Sequence, residues 1–599
     1  MNIENISDLL DVIKTAEDNL RERDNRIQRY RALYNMDHYS PSAVRGLPPE
    51  YHRALNKYAY QSNDATNIVD LTVGILSHNN LKLEAYTYKE QKDSNRAAGE
   101  IERLVAGVIK MNCIEQEVDI HNDIIHNMTI DGGCGLRTIW SEHGIAERIT
   151  LDHPAGIGET SEPTEVDVIT EVPIRLDVIP LENMLYIPGG PHGRWFMIGM
   201  RDKRTIDSVR EEFPDYRAEI IGPSLLKTEV TFYDMWFWGK NDQDKIVVMN
   251  AIVADKEVLR PPTEMPGYAD LPYTLAFFKP TQDKKIENWG LSMLSNVEED
   301  IRMLENRINH QNRMLDIWAN LPLFSKTRDN RAIDVDAVFG TVVNLGTDES
   351  VGFIQPGGEP PDHDKILNFA KQSISNGSYP PVAFGQGAGA SGYGLSQLAE
   401  GGRIRLEQPR RQIELMWEVA IWKMLGLFRN YAPDRAMRVF GEYKGESFVM
   451  NDLVGKDTEG WFVSVKLDPR FPQDEARMAA LGNQLLAIKG ISRRTAQERY
   501  FGIDDPDREQ DRLLVEAAQT NPDLMQALIQ EALKAYGIDM PRGQAPNGSP
   551  PRLPISQPLM SNPEQGVLPP QAAGGQPYGQ ETAGDPQRLL SMLSGASGG

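Results

Sequence analysis

Apolar residues recur at helical spacing toward both ends of this chain and alternate with polar ones in the middle. Residues 1–38 read as a helix on Ile6, Leu9, Leu10, Ile13, Leu20, Ile27, Tyr30 and Leu33. Pro41 and the Gly46-Leu47-Pro48-Pro49 cluster end it. Asn63-Asp64 opens a second helix through Ile68, Val69, Leu71 and Ile75. Two more are expected over about 91–112 and 114–130, the last closed by Gly132-Gly133. From about 134 to 280 the period shifts to two. Residues 137–140, 174–179 and 230–238 are alternating, β-branched or aromatic, which predicts strands. A short helix at 205–213 interrupts them, opened by Thr205 with Asp207 in its first turn.

The most regular stretch follows. Leu294, Val297, Ile301, Leu304, Ile308, Gln311, Leu315 and Trp318 are spaced 3, 4, 3, 4, 3, 4, 3, a heptad seam with one polar member. Glu298, Glu299, Asp300, Arg302, Glu305, Arg307 and Arg313 take the other faces. A helix of about 28 residues, about 42 Å long at ~1.5 Å per residue, is expected between Leu291 and Asn320. Leu321-Pro322 stops it, and 322–358 reads as a small strand-and-turn unit with strands at Thr341–Leu345 and Val351–Ile354. A second helix, from about Pro361 to Ser375, carries Ile366, Phe369, Ala370 and Ile374 in register. The chain thus departs along one long helix and returns along another.

Residues 376–394, NGSYPPVAFGQGAGASGYG, are the most glycine-dense part of the folded region. A long helix is expected over 395–428, interrupted or kinked near Pro409. Strands at 436–450 and 461–467 and helices at 473–488, 492–500 and 508–537 complete the pattern. From Pro541 onward periodicity vanishes and Pro plus Gly exceed about a third, the composition of a disordered tail. No internal repeat is present.

Length and charge narrow the function. At 599 residues the chain is expected to form about three to five domains. Its 63 Lys+Arg against 86 Asp+Glu give a net charge of −23, which excludes a basic coat for nucleic acid. Cys113 and Cys134 cannot build a disulfide framework, nor a zinc site unaided, and read as small buried residues. The acidic N-terminus lacks the apolar core of a signal peptide, and no run of about 18 apolar residues occurs. A reducing, cytoplasmic setting is expected.

Motifs for chemistry are mostly missing. GxxxxGK[ST] and HExxH do not occur, and no GxSxG elbow appears in the periodic part of the chain. His121 and His126, five apart, read as isolated surface or core histidines. Gly387 to Gly392 match GxGxxG, but Tyr379-Pro380-Pro381 stands where a strand is needed, and Glu407 lies in a helix. Asp504-Asp505-Pro506-Asp507 lacks the glycine and distal glutamate of a calcium loop and fits a helix start. Cations concentrate at Arg403, Arg405, Arg410 and Arg411, either as a solvated face paired with Glu400, Glu407 and Glu414 or as a contact for phosphate. No catalytic residues, metal ligands or cofactors are assigned, and the chain is expected not to be an enzyme.

The order of these parts resembles the portal proteins of tailed bacteriophages, over roughly residues 15–540. RDNRIQRYRALYNMDHYS is similar to that family's first helix, and NDATNIVDLTVGILS to the segment opening the next. LPYTLAFFKP with NWGLSMLSNVEEDIRMLENRINH resembles the approach to a first stem helix. SYPPVAFGQGAGASGYGLSQLAEGGRIRL resembles a tunnel loop and the helix after it, and IKGISRRTAQERYFGIDDPDREQDRLLVEA resembles a late helical segment. The Pro-rich C-terminal tail and the acid excess depart from the pattern.

The resemblance implies a mainly helical α+β portal fold assembled as a ring, usually of twelve copies. Its parts would be N-terminal helices and a strand-rich wing (1–280), a first stem helix (281–320), a clip (321–359) and a second stem helix (360–378). A tunnel loop (379–394), a tunnel helix (395–430), wing strands (431–470), crown helices (471–540) and the tail (541–599) would follow. Gly385, Gln386, Gly387, Gly389, Ser391, Gly392 and Tyr393 would line the channel, with Arg403, Arg405, Arg410 and Arg411 as possible DNA contacts. Lys326, Arg328, Asp329, Arg331, Phe339 and Phe353 would dock terminase or an adaptor. Leu294, Val297, Ile301, Leu304, Ile308, Leu315 and Trp318 would form the stem seam. Implied partners are further copies of the chain, double-stranded DNA held weakly and without specificity, the terminase large subunit, an adaptor or neck protein, and a capsid or scaffolding protein. No membrane is involved, and the place would be the virion's capsid vertex, reached from the host cytoplasm. The alternatives are another neck or baseplate component and, least favoured, a nucleotide-binding enzyme.

Overall fold

The computed structural model describes residues 6–514 except 42–58, 78–80, 88–93, 142–145, 152–163, 170, 191–194, 217–228, 242, 282, 284, 320–322, 327–346, 349, 354–362, 379–391, 444–445, 468–473, 489, 502–508 and 511. The chain divides into two units, Met1–Arg512 and Leu513–Gly599. Of the second, only the exposed helical residues Leu513 and Leu514 are described, so the tail and most of the third late helix lie outside.

The helix α1 (Ile6–Tyr34) buries Leu9, Ile13, Leu20 and Ile27 of the stripe its sequence spacing predicts, and Val12 beside them. It ends earlier than the prolines suggest. Met36 turns left-handed, and Asp37 N–H bonds back to Ala32 O at 2.8 Å. Next come α2 (Asp64–Ser77), β1 (Lys82–Thr87), α3 (Ser94–Gln116) and α4 (Ile120–Asp131). Glu117, with positive φ, separates α3 from α4, and Asp119 caps α4 by accepting from the N–H groups of His121 and Asn122. Gly132 closes α4 at φ 86°, where a Cβ would lie 2.7 Å from Ser292 N.

The middle block forms two large antiparallel sheets. Strands β2 (Gly133–Trp140), β5 (Ile174–Pro180) and β11 (Tyr273–Phe277) make one, in the order β11-β2-β5. Strands β6 (Met184–Pro188), β7 (Trp195–Thr205), β8 (Glu229–Lys240), β9 (Ile246–Ala254) and β10 (Glu257–Glu264) make the other. The helix α5 (Ile206–Glu212) interrupts between β7 and β8, capped by Thr205 as its sequence predicts. Strands β3 (Ala146–Leu151) and β4 (Thr164–Ile169) pair beside them.

The chain then runs through α6 (Glu298–Ala319), β12 (Leu323–Lys326), β13 (Ser350–Phe353), α7 (His363–Gly377) and α8 (Gly392–Tyr431). Strands β14 (Ala436–Met437), β15 (Val439–Tyr443), β16 (Glu446–Met450) and β17 (Trp461–Lys466) and helices α9 (Asp474–Ala487) and α10 (Arg493–Arg499) follow. These late strands return to the early block. β17 pairs with β1 from Thr87↔Trp461 to Lys82↔Lys466, and β14 lies parallel to β4. Carboxylates close the ribbon's edges: Glu102 accepts from Ala85 N, Glu418 from Val465 N and Glu414 from Leu467 N, at 2.8, 3.1 and 2.8 Å. Helix α8 continues through Pro409. Its Leu406, Ile413, Trp417, Ile421, Met424 and Phe428 are buried in the core that also holds α3, α4 and β2. No helix of the described residues is long and apolar enough to cross a membrane. The chain mixes helix and sheet, as expected.

A buried polar network joins the two large sheets. Asp234 on β8 accepts from Trp236 Nε1 (2.9 Å) and Asn250 Nδ2 (2.7 Å) through Oδ1. Its Oδ2 accepts from Arg137 Nη1 on β2 at 2.8 Å and from the Tyr273 hydroxyl on β11 at 3.3 Å. Arg137 also binds Asp177 on β5 through Nε and Nη2, at 3.0 and 2.5 Å. Replacing Asp234 with Ala takes the acceptor from the buried Trp236 indole N–H, removes one of the two carboxylates that neutralise Arg137, and leaves Asn250 Nδ2 only its 3.3 Å bond to Met235 O. The expected loss is about 3–5 kcal/mol in denaturant unfolding, against under ~1 for Lys240→Ala, which opens the exposed Lys240–Asp244 pair.

Candidate functional site

The candidate site is the helix pair α6–α7 with the start of α8. The seam residues Leu294, Val297, Ile301 and Leu304 are buried, and Ile308 is partly so. Their partners on α7 include Ala370, Ile374 and Leu367. Ser373 Oγ donates to Asp300 Oδ2 at 2.7 Å, and a Cβ on Gly377 would lie 2.7 Å from Val297 Cγ1. Pairing 300 with 373 and 297 with 377 sets the two helices antiparallel. At the far end β12 pairs antiparallel with β13, Leu323 opposite Phe353 and Lys326 opposite Ser350. The chain therefore leaves along α6 and comes back along α7, as the sequence pattern implies.

Two details differ from expectation. Helix α6 starts at Glu298, so it has 22 residues, about 33 Å at ~1.5 Å each. Leu294 lies in a short 3-10 turn capped by Ser292, and Val297 adopts a non-helical φ of −124° between turn and helix. Strand β13 pairs with β12, a strand the sequence reading did not name, while the expected strand at 341–345 lies outside the described residues.

Glu305, which the sequence places on a charged outer face, is buried. It bonds His38 Nδ1 and accepts from Ser62 N at 2.8 Å, while His38 Nε2 faces Leu33 O at 2.9 Å. One turn on, Asn309 accepts from Tyr60 N at 2.7 Å and donates to the Tyr39 hydroxyl at 2.9 Å. Arg29 of α1 meets Glu298 at 3.1 Å. These polar residues moor α6 to segments more than 240 positions earlier. The i, i+4 spacing of Glu305 and Asn309 is visible in the sequence, but their partners are not.

Three of the four clustered arginines have described side chains. Arg405 donates to Ser378 O and, at 2.6 Å, to Asn376 O, so it caps the carbonyl end of α7 from α8. Arg410 binds Glu407 at 2.8 Å, Glu414 at 2.9 Å and Leu467 O at 2.9 Å. Arg411 binds Glu407 at 2.9 Å and is 70% exposed. The hydrogen bonds from Arg410, then those from Arg411, hold the Glu407 carboxyl below its usual range. Lys279 Nζ, beside Arg405, is buried without a hydrogen-bond partner, and burial lowers its pKa.

Lys326 is exposed at the end of β12. Phe353 lies in β13, Gly392 and Tyr393 open α8, and Arg403, Leu315 and Trp318 lie in their helices, but none of these side chains is described. Arg328, Asp329, Arg331, Phe339, Gly385, Gln386, Gly387, Gly389 and Ser391, with 504–507, lie outside the described residues. Among the described residues no group of three or more His, Cys, Asp or Glu side chains is placed to hold a metal ion.

The close approach at Gly377 yields a test. Gly377→Val is expected to destabilise by about 1–3 kcal/mol through the clash with Val297, and Val297→Ala in the same chain should recover part of it. Thermal melts of the four proteins of the cycle measure it.

No protein-family profile matches the sequence, and no curated protein does. Among solved structures, the chain is similar to one titled as the neck of a native GTA particle computed with C12 symmetry. They share 12% identity with a TM-score of 0.39, over 75% of this chain and 92% of that one. A chain from the neck of an empty GTA particle computed with C6 symmetry gives 12% and 0.39, over 75% and 93%. One from the virion of a native gene transfer agent particle gives 11% and 0.38, over 78% and 98%. Likeness at that level assigns this chain neither a fold nor a role.

Proposed function

We propose that this chain is a portal subunit. Copies of it form a ring at one capsid vertex, around the channel through which double-stranded DNA is packaged and later ejected. The observation that carries this reading is the antiparallel α6–α7 pair, extended by the β12–β13 excursion and followed by the glycine-dense segment and α8. Helix α6 supports it physically. Its inner seam is buried within the chain, while Asn306, Arg307, His310, Asn312 and Arg313 stand exposed. A helix with a solvated outer face is suited to lie beside neighbours in a closed ring of heterologous contacts.

In this reading the excursion 321–359 is the clip, docking the terminase large subunit during packaging and an adaptor or neck protein afterward. The capsid or scaffolding protein meets the ring elsewhere. The role is passive: a separate motor hydrolyses ATP, and this reading gives the chain no catalytic, cofactor-binding or metal-binding part. The glycine-dense segment before and at the start of α8, 379–394, lines the narrow part of the channel and hinders backsliding of DNA. The net charge of −23, repeated in every copy, repels phosphate from the wall and keeps DNA contacts weak. Of the three cluster members with described side chains, Arg411 is the best placed for such a contact, since Arg405 and Arg410 are engaged with backbone carbonyls.

Negative-stain images of the purified full chain are expected to show rings of about twelve units with a central hole, and monomers or dimers alone would reject the assembly. Deleting 385–392 is expected to leave the rings intact and reduce DNA packaging or retention. Normal packaging by that mutant would remove the loop's role.

A further inference from the structure

Helix α8 holds one histidine contact that none of the foregoing uses. Trp417 is fully buried near its middle. Indole Nε1–H can only donate, and the acceptor it meets is His121 Nδ1 in the first turn of α4, 3.2 Å away. The ring centroids are 6.2 Å apart at 47°. An accepting Nδ1 leaves the ring's single proton on Nε2, which is buried with no hydrogen-bond partner.

We propose that the His121–Trp417 contact is a proton-sensitive bolt between α4 and α8, closed while the imidazole is neutral and opened when the ring is protonated. A second proton can enter only at Nδ1, where it faces the indole N–H donor to donor. Protonation therefore both buries a charge and removes a hydrogen bond.

The neighbouring charges do not compensate. Asp119 favours a charged ring, but its carboxylate already accepts from His121 N and Asn122 N at 3.1 and 3.2 Å. Farther along α4 stand Asp123 and His126, whose charges act on each other. Helix α3 brings Cys113 and Lys110 to the Asp119 side. On α8, Glu414 and Glu418 turn to β17, bonding Leu467 N at 2.8 Å and Ser464 Oγ at 3.0 Å. Burial outweighs Asp119 and lowers the His121 pKa from 6.5 to about 4.

Below about 6.5 the unfolded chain takes up this proton, and the folded chain does not until about 4. The contribution is complete above that window and falls as the pH drops through it. Acid thus loosens α8 near its midpoint, whether or not the chain forms a portal.

Denaturant unfolding of the full chain between pH 7.5 and 4.5 tests this. Within the window the wild-type unfolding constant should rise about tenfold per pH unit more than that of His121→Gln, because the carboxylate titrations common to both cancel. Trp417→Phe keeps an aromatic ring, removes the donor and should flatten part of the slope. Equal slopes in wild type and His121→Gln would overturn the proposal. So would a His121 ring-proton resonance that titrates near 6.5 in the folded protein. If His121→Gln does not fold, the Trp417→Phe slope and that resonance decide.

Discussion

The wall between the two large sheets depends on one buried carboxylate. Asp234 has every neighbour a charge needs in a dry place: indole, amide, guanidinium and phenol. The group it organises extends outward. Arg260 on β10 donates to Asn250 Oδ1 at 3.0 Å, and Lys423 on α8 donates to Tyr273 O at 2.7 Å. Strands from both sheets and the long helix α8 thus meet around one anion. Burial lowers the Lys423 pKa to about 8, with Asp270 pulling against it. Charges buried this deeply contribute little net stability, but removing one partner is costly, so the network fixes how the sheets register.

Around that wall, α8 serves as a spine. It packs against the wall strands and the ribbon β1–β17. Two of its glutamates also cap that ribbon's edge. Its first turns reach the carbonyl end of α7 through Arg405. The antiparallel pair α6–α7 is therefore held twice, at α7 by α8 and at α6 by His38, Tyr60 and Ser62. A pair fixed at its root can present the excursion beyond it in a defined direction.

Much of this was legible in advance because it is local. The stripe of α1, the Thr205 cap of α5, the seam from Val297 to Leu304 and the strands β2, β5 and β8 follow from spacing and capping chemistry. Other features were not. Met36 ends α1 in a conformation that neither glycine nor proline announces. Glu305 sits among charged residues and reads as solvated, yet it is buried, because its partner His38 is 267 positions away. The arginines 410 and 411 read equally as a solvated face or a phosphate contact, and both turn out to be bonded to Glu407.

The sequence by itself determined most of the helices, the strand-rich character of the middle block, that one long helix departs and another returns, and that the chain carries strong negative charge. Those properties depend on residues a few positions apart and on composition. Only the tertiary structure decided which polar residues are buried, that β17 joins β1 from hundreds of positions away, and that Asp234 joins two sheets. The physical reason is that an ion pair or a strand ladder is defined by its partner. Nothing in local periodicity names a partner hundreds of residues away.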